Sequence, residues 1–552
     1  MPVRDHRGEE GFTMIMTVIG VSVIALLVLV AVTAVNGDAH LTGRDLSRKQ
    51  AYEAAKAGID EYAYHLHSNT AYWSECTEPD LVEGTPSALN QQGSTANRRA
   101  VPGTTGAAYA IELIPATGHE ECDPTDIATA TASMLEPLDP MKGTFRIRST
   151  GFAGQTEASI TATFKPSSFL DYVYFTQLET SDPFTYGEET LIKAAEVQCA
   201  KTIRDGRYSA EIIQNRGYCD VISFVHGDNI KGPMHTNDAF VICNDPTLGR
   251  NASDPVEVSS PPTGWYSTRD SSLHAGSNCS GSPNFQGSFR TKSPILIPPE
   301  TNSELGTIAE PTFRFSGEVK ICLEGATMTV GTGSSCTASV QYSGPFPANG
   351  VVYVANGTCS GAYSPFFVSY SEVPSTCGNV NVEGKYSKPL TIAAGNDIVI
   401  RSNLEKTSEE GMLGLIANNF IRVYHPVTLV HPKTCSGWKF ENGHWVEDCT
   451  EVLTKYECTG NATGVLNPLK IEAALLAIKH SFIVDNYNCG SSLGTLTVKG
   501  AIAQKYRGAV GTTGNSGYLK NYEYDERLHT MEPPSFIEPI KSDWVIGRET
   551  TE

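Results

Sequence analysis

Residues 11–35 read GFTMIMTVIGVSVIALLVLVAVTAV, and Phe12 to Val35 carry no ionisable side chain. About 20 such residues in helical form cross a bilayer core. At about 1.5 Å per residue the run makes a rod of about 36 Å, long enough to span with some tilt. A polar leader, MPVRDHRGEE, precedes it, and the change from polar to apolar falls at Gly11–Phe12. These features predict a single-pass helix in contact with membrane lipid through residues 12–35. Arg4 and Arg7 give a weak positive-inside signal. They place the leader in the cytoplasm and residues 38–552 outside the cytoplasmic membrane. A secretory signal peptide, cut near Ala31, Thr33, Ala34 or Gly37, and a plain uncleaved anchor are the competing readings.

The helical pattern continues past the apolar run. In LSRKQAYEAAKAGIDEYAYHLH (46–67), Leu46, Ala51, Ala55, Ile59, Tyr62 and Leu66 recur at helical spacing and form one stripe. Arg48, Lys49, Glu53, Lys56, Asp60 and Glu61 fall largely off it. No proline interrupts residues 3–78, so one helix over 12–67 is predicted, with Gly37 and Gly43 as the places where it bends.

The leader, the Gly11–Phe12 junction and the apolar run together resemble the prepilin family. RKQAYEAAKAGIDE (48–61) resembles the minor pilins of the X type, which carry a similar Gln-Ala-aromatic-x-Ala-Ala-x-Ala-Gly run. The resemblance covers residues 8–67. It implies cleavage after Gly11 by a prepilin peptidase, with Gly11 and Phe12 as processing residues and methylation of the new amino group. It also implies other pilin-like subunits and the pilus assembly machinery as partners. Two residues depart from the pattern. Most major pilins have glutamate at the fifth mature residue, where this chain has Met16, a change often seen in minor pilins at a filament tip. Glu10 stands before Gly11 where a basic residue is usual.

The chain has 61 acidic and 41 basic residues, a net charge of −20. Such a surface repels phosphates, and no basic patch stands out, so nucleic-acid binding is disfavoured. All 14 cysteines lie beyond the apolar run, and an even count outside the cytoplasm points to disulfides. No Cys-x-x-Cys pair is present, which argues against zinc. Cys322 with Cys336, Cys359 with Cys377 and Cys435 with Cys449 are candidate pairs, but spacing leaves the full connectivity open.

Residues 68–167 hold strand-like runs at 107–115, 143–153 and 158–166 and read as a small pilin-like β region. Beyond 168 come many short runs of Val, Ile, Leu and Thr separated by Gly, Asn and Asp, such as GVVYVANG (350–357) and LTIAAGNDIVIRSN (390–403). LTI at 390 and GLI at 414 lie 24 apart, and IVI at 398 and IRV at 421 lie 23 apart. That period predicts a parallel β-helix over 168–545, with a β-sandwich as the alternative. This part also resembles an uncharacterised β-rich family found downstream of pilin-like N-termini. Residues 427–468 interrupt the repeat with three cysteines and with Trp438 and Trp445, and read as a disulfide-braced loop. The two indoles suit a sugar or protein contact, or pack the loop's own core.

His226, Asp228, His235, Asn237 and Asp238 lie close together in 226–245, where a histidine beside carboxylates suits acid–base or metal chemistry. The spacing matches no metal motif, and Gly, Asn and Asp are also turn formers. His235 and Asp238 are therefore candidates for surface binding, with no catalytic residue, metal or cofactor assigned. No phosphate loop or His-Glu-x-x-His occurs. The reading is an atypical minor pilin-like subunit acting in pilus assembly or surface display and adhesion. The alternatives are a membrane-tethered β-helical carbohydrate-active enzyme and an anchored cell-surface binding protein outside any filament.

Overall fold

The computed structural model describes residues 10–69, 71–76, 89–123, 125, 132–136, 144–186, 189–199, 222–267, 281–359, 375–431, 433–441, 444–451, 457–512, 515–539 and 544–551. The chain divides into two units, residues 1–166 with 544–552, and residues 167–543.

The described residues of unit 1 form a long helix, α1 (Glu10–Ser68), a short 3-10 turn at Tyr72–Ser74 and an antiparallel sheet. The sheet runs β1 (Arg99–Ala100), β2 (Ala107–Ile114), β3 (Phe145–Ala153), β4 (Thr156–Pro166) and then the terminal strand Trp544–Thr551. β3 and β4 are joined by the two-residue turn Gly154–Gln155, with Gly154 at φ +62°. Left-handed backbone of that kind favours glycine. Alternation then places Phe145, Ile147, Ile160, Ala162 and Phe164 on one buried face. α1 covers that face with Ala51, Ala54, Ala55, Ile59, Tyr62 and Leu66, all at most 2% exposed, whereas Leu46 is exposed. The approach is close because Gly151 has no side chain: a Cβ there would lie 2.0 Å from the Ala51 carbonyl oxygen. The terminal strand pairs along β4 from Trp544 opposite Pro166 to Thr551 opposite Ile160. It adds the Trp544 ring, edge-on to Phe145 at 4.9 Å.

The predicted transmembrane helix is corrected here. Among the described residues, no helix is long and apolar enough to cross a membrane, a finding that does not bear on β-barrels. The side chains described along the apolar run are those of Met16–Leu29. The single-pass placement in the cytoplasmic membrane and the lipid contact over residues 12–35 are corrected with it.

Unit 2 is a stack of short parallel strands. In space, one ladder runs Arg314–Ser316, Val351–Ala355, Leu390–Ala394, Leu413–Ala417, Leu469–Ala477 and Ser492–Tyr506. It continues through Tyr174–Leu178, Met234–Thr236, Pro255–Val258 and Ser288–Arg290. The strands after residue 314 therefore precede those before 290, and the late strand 492–506 lies against the early strand 174–178. The segment 291–313 carries the chain back along the stack. Ser293 bonds to Val258, Leu296 to Asn237, Asn302 to Ala394 and Ile416, and Ile308 to Asn349.

This order overturns the predicted parallel β-helix, because the sheets are not a closed helix. Chain order breaks within the stack, where the late strand 492–506 is followed by the early strand 174–178. Antiparallel pairs also enter the main sheet, Val319–Gly325 with Thr327–Thr332 and the latter with Val340–Pro345. The local period was real, but the long-range order was not contained in it. Parallel register also separates the stack from an antiparallel β-sandwich.

The interior is Val, Ile, Leu and Ala from successive layers, including Val354, Ile392, Leu415, Leu475 and Ile502. Asparagines link the layers at the turns: Asn396 donates to Asn379 Oδ1 at 2.7 Å, and Asn419 donates to Asn396 Oδ1 at 2.6 Å. Disulfides join Cys322–Cys336, Cys359–Cys377, Cys435–Cys449 and Cys458–Cys489 in unit 2, and Cys76–Cys122 in unit 1. Cys199 and Cys243 are disulfide-bonded as well.

Candidate functional site

α1 has two chemically different stretches. Its second half is seated on the sheet of unit 1. In Met16–Leu29, by contrast, Met16, Val18, Ile19, Val21, Val23, Ile24, Leu26, Leu27, Val28 and Leu29 are all at least 50% exposed. Full burial of such a side chain is worth about 1.5–3 kcal/mol. The Ser22 hydroxyl turns inward and donates to Val18 O at 2.8 Å. A helix apolar on every side is stable where other apolar surface surrounds it. The side chains of Gly11 and Phe12 lie outside the described residues, and Met16 is an exposed member of this surface.

Trp438 and Trp445 lie in unit 2 on a two-stranded antiparallel hairpin, Lys433–Glu441 with His444–Glu451. They are 64% and 67% exposed. Trp438 stands opposite Glu447 and Phe440 opposite Trp445, so both indoles occupy the same face. Cys435 stands opposite Cys449 and is bonded to it. These two sulfurs and Glu447 lie close enough to suggest a metal site, but the disulfide leaves one carboxylate as the only ligand of the three.

His235 and Asp238 are both buried. The His235 ring lies 3.3 Å from Glu257 through Nδ1 and 3.1 Å from Asn237 Oδ1 through Nε2, stacked on Phe175 at 5.8 Å. Burial works to raise the Glu257 carboxyl, but the His235 and Tyr172 hydrogen bonds hold it below its ordinary value. Asp238 accepts the Glu179 backbone N–H at 3.3 Å. Neither residue reaches the surface, so the structure does not place them with the exposed tryptophans.

Asp238 borders a buried charged cluster where strand 492–506 meets strand 174–178. Arg507 donates to Glu179 at 2.8 Å, Tyr174 donates to Glu179 at 2.9 Å, and Lys520 donates to Asp228 at 2.6 Å. Burial pushes the Glu179 carboxyl up and the Lys520 ammonium down, against the pull of their partners. Arg507 and Glu179 are 328 residues apart, and no local pattern pairs them.

A groove of ≈ 610 Å³ opens nearby, lined by Phe184, Glu196, Lys479, His480, Lys505 and Tyr506 among others. His480 Nδ1 lies 3.0 and 3.1 Å from the two carboxylate oxygens of Asp182, which also accepts from Ser481 at 2.9 Å. The ring is stacked on Phe420 at 4.4 Å and met edge-on by Phe184 at 4.4 Å. The His480–Asp182 pair spans 298 residues and was not foreseen from the sequence.

No family model matches this chain, and no curated protein does. Among solved structures it is similar to the competence-associated pilin ComZ from Thermus thermophilus. The identity is 11%, the match covers 92% of this chain and 97% of that one, and the TM-score is 0.22. A likeness at that score carries no argument about this chain.

Proposed function

We propose that the chain is a pilin-like subunit of an extracellular filament, with unit 2 as the body it displays for assembly or adhesion. One observation carries the reading: a single helix is docked on its own sheet over 51–66 and presents apolar side chains on all sides over 16–29. Helices of neighbouring subunits are the surface that would bury them. The disulfides fit an oxidising compartment. Gly11–Phe12 is then the bond cut by a prepilin peptidase, and Met16 in place of glutamate suits a minor position at or near a tip.

The test is co-purification with filaments from the native cell, together with mass spectrometry of the N-terminal peptide. A peptide starting at Phe12 and loss of incorporation in Val23→Asp/Leu26→Asp are expected. Incorporation of that variant at the wild-type level would refute the reading.

A second reading, a carbohydrate-active enzyme, is favoured by the Asp182-oriented His480 in its groove. It requires polysaccharide turnover that His480→Ala abolishes.

A further inference from the structure

Among the described side chains of the hairpin Lys433–Glu441 with His444–Glu451, none is buried. An isolated two-stranded ribbon is marginal in water, and here the Cys435–Cys449 disulfide links directly opposite residues. Both indoles are about two-thirds exposed. Trp73, Trp265 and Trp544, by contrast, are half-buried. Trp438 and Trp445 are diagonal neighbours on one face, with Cβ atoms about 7–8 Å apart or slightly less. Glu447, on that same face opposite Trp438, supplies a carboxylate acceptor.

Flat apolar rings beside a hydrogen-bond acceptor are complementary to a pyranose. Its C–H face packs on the indole and its hydroxyls donate to the carboxylate. A protein partner is the weaker fit, because a stable interface takes about 800 Å² per partner and two indoles offer at most about 500 Å². Charge narrows the class. The hairpin holds Lys433 and Lys439 against Glu441, Glu447, Asp448 and Glu451, in a chain of net charge −20. That balance repels sulfated, phosphorylated and uronic polymers.

We propose that the Trp438–Trp445 face of the hairpin binds a neutral or N-acetylated polysaccharide. The disulfide holds the ribbon in its binding shape beforehand, so little conformational freedom is lost on association. This site does not depend on the filament reading, and its test needs no filament.

The experiment uses the full-length protein with β-1,4-linked hexamers of N-acetylglucosamine, of glucose and of a uronic acid, read by tryptophan fluorescence and calorimetry. At least one of the two uncharged hexamers binds, and the uronic hexamer does not. Trp438→Ala and Trp445→Ala each weaken binding about tenfold or more, and the double variant loses it. Trp438→Phe/Trp445→Phe retains part, because a phenyl ring still stacks. Far-UV circular dichroism and an intact 435–449 disulfide by mass show that the hairpin persists in the variants. Binding of no uncharged hexamer, binding of the uronic hexamer alone, or wild-type binding by the double alanine variant overturns the proposal.

Discussion

Gly151→Ala tests the seating of α1 on its sheet. The added Cβ would lie 2.0 Å from the Ala51 carbonyl oxygen and 2.3 Å from the Ala55 nitrogen, both backbone atoms that cannot rotate aside. Carbon and oxygen pack at about 3.3 Å, so the helix must lift by roughly 1.3 Å. A gap of about 0.5–1 Å already forfeits a quarter to a half of a contact's dispersion energy. The loss spreads along Ala51, Ala54, Ala55, Ile59 and Tyr62, all at most 2% exposed. Overpacking costs about 1–3 kcal/mol, and rigid backbone opposition puts this case near 3 kcal/mol. For a unit of this size that lowers Tm by about 6–12 °C. Calorimetry follows the unit 1 transition, and hydrogen exchange follows peptides from 51–66. Gly20→Ala is the control: a Cβ there meets nothing within 4 Å, so stability holds or rises slightly. If Gly151→Ala unfolds at the wild-type temperature and residues 51–66 exchange as before, the helix is not seated on β3 at this spacing.

Three further outcomes are expected in unit 2. Arg507→Met strands the buried Glu179 carboxylate and costs about 3–5 kcal/mol in urea unfolding, much of it recovered by adding Glu179→Gln. Asn396→Ala breaks the links to Asn379 and Asn419 and costs about 2–3 kcal/mol by the same assay, with little effect on unit 1. Burial raises the Asp485 carboxyl above its ordinary 3.8, against the pull of Arg422, which donates to it at 2.8 Å, so the folded chain holds this proton to higher pH than the unfolded chain. That contribution is complete below pH 3.8 and fades as pH rises through the folded value. Asp485→Asn lacks it, so its stability relative to wild type rises with pH above 3.8; a flat difference across acid to neutral pH would contradict the assignment.

Local chemistry was readable in the sequence where it depends on near neighbours. Alternation in 145–164 placed strands, and Cys322–Cys336, Cys359–Cys377 and Cys435–Cys449 each close over fewer than 20 residues. The period of about two dozen residues reflected parallel pairs such as Ile392 with Leu415. Chain order in the stack was not readable. It rests on contacts such as Ile502 with Tyr174 and on a connecting segment whose Asn302 bonds reach 92 and 114 residues away. His235 and Asp238 looked like site residues because histidine and aspartate are chemically versatile. Their burial among Phe175, Glu257 and Glu179 is decided by residues elsewhere in the chain. The apolar run misled in a different way, since hydropathy alone does not say what surrounds a helix.

The sheet of unit 1 has a consequence for how the chain is made. α1 and β2–β4 come first from the ribosome, yet the strand along β4 is Trp544–Thr551, at the other end of the sequence. Until those residues arrive, β4 has an open edge of unpaired backbone groups, and Phe145 lacks the Trp544 ring. A chain that stops anywhere in unit 2 never acquires that strand. The sheet thus couples the two ends of synthesis: β4 gains its partner strand only once residues 544–551 have been made.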